Sequence, residues 1–231
     1  MKDLPDIAVT GTDTGVGKSV AALLLMQLLF AKGYAPFYVK PFQTGCADPY
    51  DPDSDAAFVY GNTTALKNED PAQSVLHCYP DPKAPYFAAR DLGQSIDPET
   101  VIRRISQVRR THAPIVVEAA GGLLVPVTDA LLVVDILQTW DCETLLVARA
   151  GLGTINHTLL SIEALRQRGI DPIGVVLTDT IASPADPALV AENIEAIELF
   201  AGVQVGGVIP VIDDFSNVPD HAYQALVNIL F

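Results

Sequence analysis

The stretch Gly11-Thr12-Asp13-Thr14-Gly15-Val16-Gly17-Lys18-Ser19 constrains this chain more than any other. It follows a short apolar run, Ile7-Ala8-Val9, and precedes residues 20–31, which are almost unbroken Ala, Leu, Met and Phe. That order implies an apolar strand that enters a glycine loop and leaves it as a helix. Glycines let successive N–H groups curl inward and form a nest for phosphate oxygens at the positive end of the helix. Lys18 is placed to reach terminal phosphates, and the Ser19 hydroxyl to hold Mg²⁺. The strict Gly-x4-Gly-Lys-Ser spacing is not met, because the position five before Gly17 is Thr12 and the glycine stands one earlier. A ligand-free glycine turn is the plain structural alternative, but it leaves the Lys-Ser pair unexplained.

The rest of the chain fits a sheet covered on both faces. Of its 231 residues, 49% are hydrophobic and 18% charged, enough for one large core or at most two small ones. Strand-like runs fall at residues 7–10, 37–40, 115–118, 144–148, 173–178 and 205–209. Helical patterns fall between or after them, at 18–32, 98–110, 130–140, 155–168, 187–200 and 219–229. This alternation predicts βαβ units: an α/β, doubly wound, mostly parallel sheet in a single domain over 1–231. Asp97-Pro98 and Asp186-Pro187 mark helix starts, and Lys32-Gly33 and Arg168-Gly169 mark helix ends. Residues 46–94 are rich in Pro, Asp and Asn and carry one strand-like piece, 74–79. The segment is too long for an ordinary loop, so it reads as an active-site insertion with short elements of its own.

The net charge of −14 argues against nucleic acid or an anionic membrane as partner, since both demand basic surface. It is compatible with a cationic substrate, and equally with simple solubility. Cys46, Cys78 and Cys142 lie far apart with no paired spacing and read as free thiols of a reducing compartment. The segment Met1-Lys2-Asp3-Leu4-Pro5-Asp6 is too polar for the apolar core of a signal peptide. Residues 21–30 fall well short of the ~20 that a membrane span needs. The expected location is the cytoplasm.

In an open α/β sheet, ligands bind beyond the carboxyl ends of the strands. After the second strand comes Lys40-Pro41-Phe42-Gln43-Thr44-Gly45, with a second cation for the phosphates, a turn fixed by Pro41 and Gly45, and a hydroxyl on Thr44. Glu118 ends another apolar strand, where a carboxylate approaches Mg²⁺. Ala119, Ala120 and Gly121 behind it are small enough to let a ligand reach the backbone. An ionised Glu118 buried there without a cation would be costly, so a metal partner is the simplest reading. The cluster Asp51-Pro52-Asp53-Ser54-Asp55 heads a short helix over 56–60. Asp53 or Ser54 suffices as its cap, and Asp55 is the better third ligand, though chemistry alone does not rank it above Asp53. Gly151-Leu152-Gly153-Thr154-Ile155-Asn156-His157 opens a further helix, a second anion site suited to a carboxylate. Asn156 and His157 serve equally well as caps, and nothing pairs His157 with a nucleophile. The run from Arg103 to Arg110 reads as a solvated helix face.

These blocks, in this order, resemble dethiobiotin synthetase, an ATP-dependent carboxylase-cyclase of biotin synthesis with a P-loop NTPase-like fold. The resemblance runs through Gly11–Ser19, Lys40–Gly45, Asp53-Ser54-Asp55-Ala56, Glu118-Ala119-Ala120-Gly121-Gly122-Leu123-Leu124-Val125-Pro126 and Gly153–His157, nearly the whole chain. Switch ATPases of the ParA/MinD group share this fold but carry a lysine five before the invariant one, where this chain has Asp13. A related amide-forming synthetase is the other alternative, but such proteins usually carry a glutaminase domain for which this length leaves no room.

The resemblance implies 7,8-diaminopelargonate, CO₂ and MgATP as reagents, and a homodimer. It implies a carbamate whose oxygen attacks the γ-phosphate, after which the second amine closes a ureido ring. Lys18, Lys40 and Thr14 would act on the carbamate and the transferring phosphoryl, and Thr44 would bind the carbamate or phosphate. Ser19, Asp55 and Glu118 would hold Mg²⁺. Nucleotide contacts would come from Asp13, Gly15, Val16, Gly17, Lys18, Ser19 and Val20. Further ones would come from Asp55, Glu118, Ala119, Ala120, Gly121, Thr178, Asp179, Pro210, Val211 and Ile212. The substrate's tail carboxylate would meet Thr154, Ile155 and Asn156 of the neighbouring subunit. Three positions depart from the family. Ser19 replaces the usual threonine and keeps the hydroxyl, and Ala119 replaces a glycine, adding a methyl beside the ligand. Thr178 stands where asparagine is common, and a threonine hydroxyl cannot pair with adenine's amino group and ring nitrogen together.

Overall fold

In the computed structural model, which describes residues 3–179 and 185–231, seven parallel strands form one sheet in the order β3-β2-β4-β1-β5-β6-β7. The strands are β1 (Ile7–Gly11), β2 (Phe37–Thr44), β3 (Val75–Tyr79), β4 (Ile115–Glu118), β5 (Glu143–Arg149), β6 (Gly174–Thr178) and β7 (Val205–Ile209). The helices are α1 (Lys18–Ala31), α2 (Asp55–Asn62), α3 (Pro85–Asp91), α4 (Glu99–Val108), α5 (Val133–Leu137), α6 (Thr154–Arg166), α7 (Pro187–Ala201) and α8 (Gln224–Leu230). Met1 and Lys2, the start of the polar amino-terminal segment, lie outside the described residues.

The apolar runs read as strands because both faces of the sheet are buried. Along β1, Ile7 and Val9 join one core cluster and Ala8 another. Along β5, Leu145 and Val147 face the α1 side while Leu146 and Ala148 pack under α6 and α7. This is the period-two alternation of a pleated strand, with apolar residues in both phases. Helix α1 is apolar all round for the same reason: Leu23, Leu24, Leu25, Met26 and Leu29 are all fully buried. The predicted caps hold, with Asp186 accepting from the Ala188 N–H and Gly33 and Gly169 in the left-handed region.

Four local expectations change. Strand β2 does not end at Lys40 but runs to Thr44, so Pro41 lies inside a strand and not in a turn. It is tolerated because Pro41 pairs in neither ladder: β4 accompanies β2 only over Phe37–Val39, and β3 pairs with Lys40 and then Phe42–Thr44. Beyond Val39 the neighbours β2 and β4 therefore part like a fork. The helix predicted at 130–140 shrinks to α5, since Leu131 and Val133 exchange backbone bonds with Val127 and Val125. The Asp135 carboxylate caps the Leu132 N–H and starts the helix there. The helix predicted at 219–229 divides into a 3-10 turn, Asp220–Tyr223, and α8. Within 46–94 the chain supplies α2, the edge strand β3 and, unanticipated, α3.

Candidate active site

Gly15 and Gly17 take φ of +69° and +88°, which curl the loop before α1. Gly11 is glycine for a different reason: a Cβ there would lie 2.8 Å from Val16 Cγ2 and 3.0 Å from the Lys18 stem. The displaced glycine thus makes room for the loop's own side chains. The Lys18 ammonium folds back to donate to the Asp13 carbonyl at 2.8 Å. Asp13 itself receives the Thr14 N–H and pairs with Arg149 at 2.9 Å.

Side chains from the start of α2, from β2 and from the end of β4 converge on Ser19. Its Oγ donates to Asp55 Oδ1 at 2.6 Å and lies 2.9 Å from Glu118 Oε1. Lys40 Nζ lies 2.6 Å from the same Glu118 oxygen and 2.7 Å from Asp55 Oδ2. Tyr38 donates its phenol to Glu118 Oε2 at 2.7 Å. Glu118 has no exposed surface at all, yet every oxygen has a donor. Asp55 is set by its neighbours: the buried Ser54 hydroxyl caps α2, and the Gln43 side chain accepts the Asp55 N–H at 3.1 Å.

Charges in this cluster shape one another. Burial, with Lys40 nearby, pulls Lys18 down from 10.5 to about 8. Burial alone would lower Lys40 too, but the paired carboxylates outweigh it and hold this ammonium above its ordinary range. Burial would raise Asp55, yet Lys40 and the Ser19 hydrogen bond keep its carboxyl below the usual range. Burial and then the Glu118 charge push the Tyr38 phenol well up, so it remains a donor.

A cavity of about 390 Å³ opens over this cluster, in the fork between β2 and β4. Of the sequence candidates it is lined by Thr14, Gly15, Gly17, Lys18, Ser19, Val20, Lys40, Thr44, Asp55, Glu118, Ala120 and Gly121. A larger cavity of about 700 Å³ lies at the amino ends of the strands, between Asp6, Arg109 and Glu143. It is the wrong end of a parallel sheet for a ligand, and its Arg109 is already held by Asp6 and the Asp141 carbonyl.

Other candidates lie elsewhere. Val16 is buried beneath the loop, and Asp13 is exposed on its outer side. Ala119 packs in the core with Val117 and Leu123, so the methyl expected beside a ligand faces the core instead. Thr178 is buried under the loop, where its hydroxyl donates to the Val16 carbonyl at 2.6 Å. Asp179 follows it and accepts the Ala185 N–H. Pro210, Val211 and Ile212 follow β7 at the same sheet edge. Thr154, Ile155 and Asn156 begin α6 and do not line the cavity within one copy. Sequence reasoning missed Tyr38, Phe42 and Gln43. The signal for Tyr38 was its place two residues before Lys40 on a strand, hence on the same face.

Among the described residues no group of three or more His, Cys, Asp or Glu side chains could hold a metal. The donor set here is smaller: one hydroxyl and two carboxylates, all oxygen and mutually within hydrogen-bond reach. That set fits Mg²⁺, which takes one or two carboxylates and completes its shell with phosphate and water. With two cations over a glycine nest, the cavity can hold a triphosphate and stabilise charge as it moves between oxygens.

Comparison with known proteins finds relatives named as ATP-dependent enzymes. A family model described as an AAA domain matches residues 6–219. The ATP-dependent dethiobiotin synthetase BioD of Bacillus licheniformis is 35% identical over 92% of this chain and 88% of its own length. That of Haloferax mediterranei is 40% identical over 81% of this chain and 79% of its own. Among solved structures, the Pyrococcus furiosus cell division ATPase MinD superposes with a TM-score of 0.55 at 18% identity, covering 98% of this chain and 89% of that one. A ParA family ATPase from Chlorobium tepidum gives 0.53 at 14%, covering 98% and 90%. Those two likenesses establish the fold, a P-loop-type α/β sheet. The sequence relatives go further: this chain belongs to the ATP-dependent dethiobiotin synthetase family and is an enzyme of the ligase class.

Proposed function

We propose that this single-domain enzyme carboxylates 7,8-diaminopelargonate with CO₂ and closes the ureido ring to give dethiobiotin, consuming MgATP. The observation that carries the reading is the meeting of Lys18, Lys40, Ser19, Asp55 and Glu118 around one cavity. One substrate amine adds CO₂ and loses a proton, giving a carbamate. A carbamate oxygen attacks the γ-phosphorus of ATP and expels ADP. The second amine then attacks the carbamate carbon, phosphate leaves and the ring closes.

The protein's part is positioning and charge stabilisation. The loop N–H groups and Lys18 hold the phosphates. Lys40 neutralises charge passing between carbamate and phosphoryl, and the Thr14 and Thr44 hydroxyls orient these groups from the cavity wall. Ser19, Asp55 and Glu118 hold Mg²⁺, which when bound neutralises charge on the phosphate oxygens. The residues at the end of β6 and after β7, Thr178–Asp179 and Pro210–Ile212, flank the base. Because the Thr178 hydroxyl is engaged by Val16, the base is read without it.

The acting unit is a homodimer in which Thr154–Asn156 of one copy receive the tail carboxylate held by the other. What supports this is that those residues do not line their own cavity, together with the exposed Leu124 and Leu160 beside Thr12 and Asp13 of the loop and the exposed Leu152 just before α6. No helix among the described residues is long and apolar enough to cross a membrane. The three free thiols support a cytoplasmic location.

A turnover assay with diaminopelargonate, bicarbonate, Mg²⁺ and a panel of nucleoside triphosphates tests the reading. Dethiobiotin and nucleoside diphosphate should appear together, and their absence with every nucleotide overturns it.

A further inference from the structure

Resting on that reading of Glu118 as a metal ligand, we infer that Tyr38 is a positioning residue that presents one oxygen of Glu118 to Mg²⁺ and withholds the other. The two oxygens of this carboxylate live in different surroundings. Oε1 faces the cavity, accepts from Lys40 Nζ and lies 2.9 Å from Ser19 Oγ. Oε2 faces away and takes the Tyr38 phenol at 2.7 Å.

Tyr38 cannot turn elsewhere. It has no exposed surface and sits in the core cluster beside Ile7 and Val116. Its backbone is pinned as well, because its carbonyl accepts Ser74 Oγ at 2.6 Å and that hydroxyl also bonds Tyr60. A buried phenol without an acceptor and a buried carboxylate oxygen without a donor would each cost stability, so the two hold one another. Lys40 and Ser19 exchange partners when metal and phosphate arrive, whereas the Tyr38 bond lies behind the carboxylate and persists. Glu118 then meets the ion through Oε1 alone. Mg²⁺ demands near-octahedral geometry, and a one-oxygen contact leaves its positions for phosphate and water. Partners of this kind typically set metal affinity by about 10- to 100-fold.

The test reads Mn²⁺ binding by electron paramagnetic resonance in the presence of ADP, without turnover. Tyr38→Phe keeps the ring and removes only the hydroxyl. It should weaken Mn²⁺ binding about tenfold or more while ADP binding without metal stays within about twofold of the parent. Glu118→Gln should weaken Mn²⁺ binding as well. The double variant, which also strands no buried charge if Tyr38→Phe alone folds poorly, should bind Mn²⁺ no more weakly than Glu118→Gln alone. Additive losses in the double variant, or normal Mn²⁺ binding by Tyr38→Phe beside weak binding by Glu118→Gln, overturn the role of Tyr38 and leave the ligase reading intact. Normal binding by both single variants overturns Glu118 as a ligand and the inference with it.

Discussion

Lys40 and Glu118 form an ion pair of 2.6 Å with almost no exposed surface on either side chain. Asp55, on the other side of the ammonium, is partly open to solvent. The cation that the proposed chemistry needs at the phosphoryl group is therefore held, in the protein alone, between the two carboxylates assigned to Mg²⁺. On the proposed reading, metal binding and release of Lys40 are one event.

Lys40→Ala should lower turnover by at least about 10²-fold while ADP binding changes by no more than about threefold. Removing one partner of a buried pair costs about 3–5 kcal/mol, less here because Asp55 is partly solvated. The metal-free variant should melt earlier than the parent and recover much of the difference with Mg²⁺ and ADP. Calorimetry with and without Mg²⁺ reads this, and near-normal turnover would remove Lys40 from the chemistry.

Lys18 gives a pH dependence with two opposite signs. Its value falls from 10.5 to about 8 in the ligand-free fold. Phosphate favours the charged form, so ADP affinity should be level below about pH 8 and decline above it by up to about tenfold per unit. The unfolded chain holds this proton up to about pH 10.5, so between the two values it binds more protons than the fold does. The Lys18 contribution to the stability of the ligand-free protein therefore rises with pH across that window, the reverse of the affinity. Titration calorimetry and urea unfolding between pH 7 and 9.5 separate the two, and a flat affinity profile contradicts the assignment.

Asp55 and Asp53 separate in the structure. Asp55 touches Ser19 and Lys40, whereas Asp53 is exposed and its N–H is taken by Asp51. Asp55→Asn should raise the Mg²⁺ concentration for half-maximal rate about tenfold or more. Asp53→Asn should leave rate and metal dependence unchanged and stability within about 0.5 kcal/mol. The converse pattern would make Asp53 the ligand.

Gly17 and Thr178 meet under the loop. A Cβ on Gly17 would stand 2.9 Å from the Thr178 side chain, on a backbone at φ +88°. Gly17→Ala should therefore abolish measurable ADP binding with the circular dichroism spectrum retained. Thr178→Val loses the bond to the Val16 carbonyl at a cost of about 1 kcal/mol, with a smaller loss of affinity. Undiminished ADP binding by Gly17→Ala would mean that the loop tolerates a side chain here.

Much of this was legible in the chain itself. Most strands read correctly because a doubly covered parallel sheet makes them apolar in both phases, and the glycine loop and Glu118 followed from their places at strand ends, whereas Lys40 was found through a strand end that lies four residues later, at Thr44. The course of β2 was not legible, because Pro41 and Gly45 look like turn residues and only a missing neighbour makes proline acceptable there. The helix predicted at 130–140 failed for a related reason: Leu131 and Val133 have the right spacing but give their backbone bonds to residues 125–127. Ala119 was misplaced because its sequence neighbours line the cavity while it faces the core. Tyr38 was hidden by its type, since an aromatic in an apolar strand reads as core and only the fold brings its hydroxyl to Glu118.

The parting of β2 from β4 after Val39 divides one strand between two masters. Substitutions at Phe37 and Val39 disturb the ladder to β4 in the interior of the sheet and are felt as stability. Substitutions at Phe42–Thr44 disturb the ladder to the edge strand β3 and reshape the wall of the cavity. Selection on ligand range and selection on folding thus fall on different residues of the same segment, and a lineage can retune what it accepts while its scaffold stays fixed.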